Sequence, residues 1–355
     1  MKHIDIILSF DYELPLGGIL KSFEHSLFSP TEKLLNVVDK LNVPIVLFAD
    51  ILSYIKFKDY NISDYFIPFE EQLIKFIKKG QDVQLHIHPH WLETTIKGKL
   101  FKPSKKFTLS DFSNGNYPEN IAGIIETGFK SLTDICIKGD DNYKCIAYRA
   151  GGYDLFPNTA DILKALYDCG IRIDSSISRG YYFKSDTSYV NYKKVPKLPN
   201  WYLSLKGDLR IASNDKNGLF EIPIASKPKG LFEVPTKFKL KKYGYRAVEN
   251  RGNMIHTNDN IKIFDKLKQL LSSRMLTVDN YTYDLDYLIK IIDFNIKKFD
   301  KSDRIILSLI GHPKSMDEYH FQLLKKFVIT SQEKYGSKIR FVTYRQIFDE
   351  MIMKN

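Results

Sequence analysis

The chain has 355 residues, 43% hydrophobic and 27% charged, with 53 Lys+Arg against 42 Asp+Glu for a formal net charge of +11. This composition excludes a disordered, collagen-like or low-complexity protein, and no apolar run approaches the ~18–20 residues that a membrane span needs. Cys136, Cys145 and Cys169 are an odd count without Cys-x-x-Cys spacing, which excludes a disulfide framework and a sulfur-ligated zinc finger.

In chain order, residues 4–10 form an apolar run containing Asp5, preceded by one lysine and followed by no small-residue cleavage site. They predict a first strand and no secretory signal, so a cytoplasmic protein is expected. Residues 31–41 predict a helix, with Ser29 as its cap and Pro30 at the first helical position. Residues 44–49 predict a buried strand. Residues 68–79 predict a helix with Phe69, Leu73, Phe76 and Ile77 on its apolar face, stopped by Gly80, and residues 82–88 the next strand. Helix 120–137, strand 146–149, helix 158–169 (ended by Gly170) and strand 171–175 follow. The stretch 179–280 breaks the rhythm. Within it 219–224 reads as one more strand and the rest, 250–260 included, as long loops over one end of the sheet. Helix 284–299, strand 304–310, helix 317–335 and strand 339–342 complete the series. Repeated strand-then-helix units with short strands predict an α/β fold, a parallel sheet with helices outside it.

The positive charge is dispersed in pairs such as Lys78-Lys79, Lys105-Lys106, Lys193-Lys194 and Lys241-Lys242, without a long basic run or a helix-turn-helix or RNA-binding signature. It reads as a solvated surface, and nucleic acid is not expected as a partner. Anionic glycans or lipid-linked sugars fit the charge better.

Sheets and barrels of this class place ligands at the carboxyl ends of their strands. There the chain puts Asp11 and Glu13, on one side of an extended backbone by alternation. The later strand ends carry His86, His88 and His90, then Arg149, Asp174 and His312. Singly, each has an innocent reading as a turn, a cap or a packed side chain. The histidine cluster is the stronger signal. Two histidines four apart with a carboxylate suit a divalent ion that takes imidazole nitrogen at ~2.1 Å, and they leave positions open for water.

These residues, in this order, resemble the motifs of the NodB-type polysaccharide deacetylases (carbohydrate esterase family 4), in the branch with an Asp-x-Glu first motif. The resemblance runs from residue 4 to about residue 345, with 179–280 loosely matched. It departs from the usual pattern in reading Asp11-Tyr12-Glu13 where two adjacent aspartates are common, in the extra His88, and in the last motif, Leu309-Ile310-Gly311-His312. The resemblance implies a distorted (β/α)7-type barrel with parallel strands and helices outside. It implies one domain over residues 1–355, with a variable region of about 179–280 over the C-terminal face.

The implied activity is metal-dependent removal of an N-acetyl or related acyl group from a sugar or polysaccharide precursor in surface polysaccharide biosynthesis. The substrate would be an N-acetylated sugar or glycan, nucleotide- or lipid-linked. Zn2+ is the simplest metal, with Co2+, Ni2+ and Mn2+ as alternatives, held by Glu13, His86 and His90. Asp11 would be the general base, oriented by Arg149. His312 would protonate the leaving amine, with Asp174 orienting it, and the Tyr12 N–H would help bind the oxyanion. His88 lies on the same face as His86, either as a competing ligand or in the pocket wall; spacing favours His86 with His90. Tyr12, His88, Trp91 and Tyr153 are expected on the substrate side, with Tyr181, Tyr182 and Trp201 as further stacking candidates. A hydrolase of cyclic amides, allantoinase- or imidase-like, and a non-catalytic glycan-binding relative are the competing readings.

Overall fold

In the computed structural model, which describes residues 3–15, 18–19, 22–97, 100–230, 261–282 and 284–351, ten strands form one curled sheet. They are β1 (His3–Tyr12), β2 (Val46–Asp50), β3 (Asp82–Ile87), β4 (Ala147–Ala150), β5 (Ile173–Asp174), β6 (Trp201–Leu203), β7 (Ala212–Ser213), β8 (Leu219–Glu221), β9 (Arg304–Gly311) and β10 (Ile339–Phe341). Across the sheet the order is β7-β6-β8-β5-β4-β3-β2-β1-β9, with β10 also on β1. Every pairing from β8 to β9 is parallel, and only β6 and β7 join antiparallel. The curl brings its ends together, because Ile224, just past β8, bridges both Ser178 and Ser308 of β9. This is the distorted barrel expected from the sequence, with an antiparallel edge added.

The helices surround it: α1 (Ser29–Leu41), α2 (Ile51–Asp59), α3 (Ser63–Lys78), α4 (Ile121–Cys136), α5 (Thr159–Asp168), α6 (Ile263–Leu270), α7 (Leu285–Lys298), α8 (Glu318–Tyr335) and α9 (Tyr344–Met351). Side-chain caps start several of them. Asn120 accepts the Gly123 N–H at 2.9 Å, and Asp284 accepts the Tyr287 N–H at 2.8 Å, each satisfying an amide that lacks an intrahelical partner. Ser29 is not a cap. Helical backbone continues upstream through a π-turn at Glu24–Phe28, and the Ser29 hydroxyl donates to Glu24 instead. α3 starts five residues before the predicted 68, with Pro68 inside it; burial of Tyr65 in the extra turn offsets the hydrogen bond that proline cannot make. α2 carries no periodic signal, since Ile51, Leu52, Ser53, Tyr54 and Phe57 are buried around most of its circumference.

Alternation divides each barrel strand between two cores. On β1, Ile4, Ile6, Leu8 and Phe10 pack toward the helices, whereas Ile7 joins Val46, Phe48, Ile173, Phe220, Ile306 and Tyr344 inside the curl. The inward rows are apolar low in the barrel and turn polar near the strands' carboxyl ends. That change of character prepares the site.

The described parts of the stretch 179–280, residues 179–230 and 261–280, hold more regular structure than the loops predicted for them. Besides β6, β7 and β8 they hold a hairpin of Tyr182–Lys184 with Tyr189–Asn191, a Ser226–Lys227 pairing with Arg274–Met275, and α6. The predicted loop 250–260 lies outside the described residues. No helix among the described residues is long and apolar enough to cross a membrane.

Candidate active site

The row Ile7, Ser9, Asp11, Glu13 on β1 continues inward past the apolar floor. Gln84, His86 and His88 do the same on β3, Ala147 and Arg149 on β4, and Ser308, Ile310 and His312 on β9. Arg149 is fully buried at their meeting point. Its Nη1 donates to Asp11 Oδ1 at 2.7 Å, its Nη2 to Ser9 Oγ at 2.8 Å, and its Nε to the Ser175 carbonyl at 3.0 Å. The guanidinium also lies 4.1 Å over the Phe48 ring. Burial works against its charge, and Asp11 opposite it is the chief group restoring it. Asp11 is thus held by one oxygen and presents the other to the cavity.

Beside it, Glu13, His86 and His88 bring a carboxylate oxygen and two imidazole nitrogens within 4.8 Å of one another. The His86 Nδ1–H donates to the Arg149 carbonyl at 2.8 Å, which leaves Nε2, 3.3 Å from Glu13 Oε2, as the nitrogen that takes either a proton or a metal ion. His88 Nε2 pairs with the same oxygen. Lys314 Nζ takes the other, Glu13 Oε1, at 2.7 Å, and donates to the Leu14 carbonyl at 3.0 Å. Burial alone would raise the Glu13 carboxyl, but the Lys314 ammonium and the two imidazoles overrule it and hold it well below the ordinary carboxylate range. Burial likewise disfavours the His86 imidazolium, yet Asp11 and Glu13 lift it to about 9.

A one-carboxylate, two-imidazole set, with one ring anchored through its far nitrogen to a carbonyl, is the donor chemistry of a divalent transition-metal site. The residues fit such an ion.

Across the cavity His312 donates Nδ1–H to Asp279 Oδ2 at 2.7 Å and holds Nε2 3.6 Å from Asp11 Oδ2 and 3.7 Å from Glu13 Oε1. Burial would lower His312, but Asp279 raises it; Asp279 itself, despite burial, is held below its usual value by the same bond. The cavity of about 580 Å3 above these groups has aromatic walls of Phe107, Tyr153, Tyr181 and Tyr182. The turn after Arg149 packs directly against His88. A side chain at Gly151 would stand 2.5 Å from the Ile87 carbonyl and 2.7 Å from His88 Nδ1, so only glycine lets β4 close against His88.

Neither a family model nor a curated protein sequence matches the chain. Solved structures do. A protein described as a polysaccharide deacetylase from Mycobacterium smegmatis aligns with a TM-score of 0.50 at 12% identity, over 99% of this chain and 91% of that one. The chain has the polysaccharide deacetylase fold. A 4-alpha-glucanotransferase from Thermococcus litoralis shares the barrel with a TM-score of 0.52 at 12% identity, over 99% of this chain and 41% of that one. At such identities the deacetylase fold is what the likeness establishes, and the chemistry rests on the site's own geometry.

On this fold the structure brings Asp11, Glu13, His86, Arg149 and His312 together, and it alters the expectations for His90, Tyr12, Trp91, Trp201 and Asp174. His90 is not in the ligand cluster: backbone stays extended through His88, then Pro89–Trp91 forms a 3-10 turn that stacks the His90 ring between Phe107 and Trp91. His88 takes the place proposed for it. Tyr12 and Trp91 point into the core instead of the cavity, the phenol donating to Gln72 Oε1 at 2.9 Å and the indole to Asp50 Oδ2 at 2.6 Å. Trp201 is buried beneath Arg179.

Asp174 does not orient His312. Ile173 and Ser175 face the barrel interior, so Asp174 points outward, where it accepts the Ser176 N–H at 3.0 Å and hydroxyl at 2.8 Å and adjoins Glu221 of β8. Asp279 fills the orienting role assigned to Asp174. It and Lys314 escaped the sequence reading. Lys314 lies in the 3-10 turn Pro313–Ser315 directly after His312, where strand alternation no longer says which way a side chain faces. Asp279 has almost no signal, since its supporting strand is the single bridge Thr277 to Ile310.

The Asp174–Glu221 pair carries a stability prediction. Burial, reinforced by the neighbouring Asp174 charge, pushes the Glu221 carboxyl well above its usual range, so the folded protein holds this proton to higher pH than the unfolded chain does. The unfolded chain ionises at about 4.3, so stability falls as pH rises from there toward the folded value. Glu221→Gln removes that loss and is expected to be more stable than the parent near pH 7, with little difference near pH 4. Urea unfolding at both pH values measures it, and an unchanged difference between them would remove the buried proton.

Proposed function

We propose that the chain is a metal-dependent amide hydrolase that removes an N-acyl group, acetyl in the simplest case, from an amino sugar or glycan. The observation that carries this reading is one cavity floor holding three groups. They are a Glu13–His86–His88 cluster, a carboxylate fixed by a buried arginine, and an imidazole fixed by a buried aspartate.

Glu13, His86 and His88 would hold the ion, most simply Zn2+, which when bound supplies Lewis acidity, making water more acidic and polarising an acyl carbonyl. Asp11, its one oxygen fixed by Arg149, uses the other to take a proton from the attacking water. His312, its Nδ1–H committed to Asp279, directs Nε2 at the site and delivers a proton to the departing nitrogen, which leaves poorly as an anion. Asp279 favours the charged ring that this step requires. Lys314 balances Glu13, so the floor does not accumulate uncompensated negative charge. Tyr153 and Tyr181 offer ring faces to a sugar. The stretch 179–280 contributes Tyr181, Tyr182 and Asp279 to the same cavity, which supports reading it as the variable cover of a single domain.

The test is acid release from a panel of N-acetylated amino sugars, their oligosaccharides and cyclic amides, with metal-free and metal-loaded protein. Acetate from the N-acetyl sugars in the loaded protein alone is the expected result. Ring opening of cyclic amides with no acyl release from any sugar would replace the deacetylase reading.

A further inference from the structure

Outside the catalytic floor, one surface feature has no role in the fold. α6 leaves Ile263, Phe264, Leu267 and Leu271 exposed at 87%, 66%, 50% and 54%, and Leu270 at 39%. At about 100° per residue these five side chains occupy one arc of about 120°. Lys266 and Lys268 flank that arc on its two sides, and Lys262 lies just beyond Lys266. The helix's acid is turned the other way. Asp265 is buried and accepts from the Tyr182 hydroxyl at 2.6 Å, Lys184 Nζ at 3.0 Å and Lys268 Nζ at 3.4 Å, so the Lys268 ammonium is shared with this acid and Lys262 and Lys266 carry the charge of the outer face. Among the described residues of α6, the outer face therefore presents apolar side chains and lysines and no carboxylate.

We propose that this face is a lipid-docking surface, which seats the mouth of the cavity on a bilayer carrying anionic headgroups. An amphipathic helix with bulky apolar residues on one side and lysines at the boundary is built to lie in the headgroup region, the apolar arc entering and the ammonium groups meeting phosphate. The charge selects this occupant over a second copy of the chain. Two copies joined through this face by a two-fold axis would set its lysines against themselves. The position is also functional. Gln269 at the end of α6, then Ser272, Ser273 and Arg274 directly after it, line the cavity, so docking the outer face of α6 sets this wall of the cavity beside the lipid surface. The proposal is independent of the hydrolase reading, because docking is measured without turnover.

The experiment is co-sedimentation of the full chain with vesicles of phosphatidylcholine alone, or with about one third phosphatidylglycerol. Binding to the anionic vesicles is expected to exceed that to the neutral ones by about tenfold or more, and to weaken with salt. The Phe264→Ser/Leu267→Ser double variant should lose about tenfold or more of it, and Lys262→Glu/Lys266→Glu a similar share. All four positions are exposed, and circular dichroism checks that the fold is kept. Absence of binding to anionic vesicles overturns the proposal, as does binding that both double variants leave intact. A parent dimer that the Phe264→Ser/Leu267→Ser variant converts to monomer would assign the face to a second copy instead.

Discussion

Replacing Asp11 by Asn is expected to lower kcat by about 10²- to 10⁴-fold, the usual contribution of a positioned general base, while the protein still takes up one metal ion. The substitution keeps the shape of the side chain and removes its basicity. Arg149 retains Ser9 and the Ser175 carbonyl, so the floor keeps most of its hydrogen bonds. The buried guanidinium nevertheless loses its counter-charge, a change that costs about 3–5 kcal/mol when one partner of a buried pair is removed. Metal stoichiometry and thermal unfolding are therefore measured beside kcat. A folded, metal-loaded Asn variant that turned over at the parental rate would take the base role away from Asp11.

His88→Ala is expected to weaken metal binding by more than about 100-fold, beyond the cost usually seen when only an outer partner of a ligand is lost. His90→Ala should leave metal affinity nearly unchanged and instead cost about 2–4 kcal/mol in stability, because it empties the space between Phe107 and Trp91. Metal titration and denaturant unfolding of the two variants separate the effects. The reverse pattern would restore the pair spaced four apart and remove His88 from the ligand set.

That choice between histidines marks where sequence reasoning reaches and where it stops. Strand alternation already groups His86 with His88 and Asp11 with Glu13, and the structure keeps both groupings. Spacing four apart brings side chains together on a helix, but here the backbone is still extended at His88, and the turn begins only at Pro89. Alternation applied one strand further would also have sent Asp174 outward, since Ile173 before it is core. The barrel was legible because its strands and outer helices carry opposite periodicities. Asp279 was not, because a single bridging residue places it within a stretch that has no periodicity to read.

The buried arginine ties the site to residues that lie outside the cavity. Its guanidinium reaches Ser308 Oγ at 3.2 Å, and the Tyr344 phenol completes that cluster by bonding Ser308 at 2.9 Å and Ser175 at 2.7 Å. Ser175, Ser308 and Tyr344 do not line the cavity, yet together they fix the guanidinium that holds Asp11. A substitution at any one of them therefore reaches the catalytic carboxylate through the arginine, without touching a bound molecule.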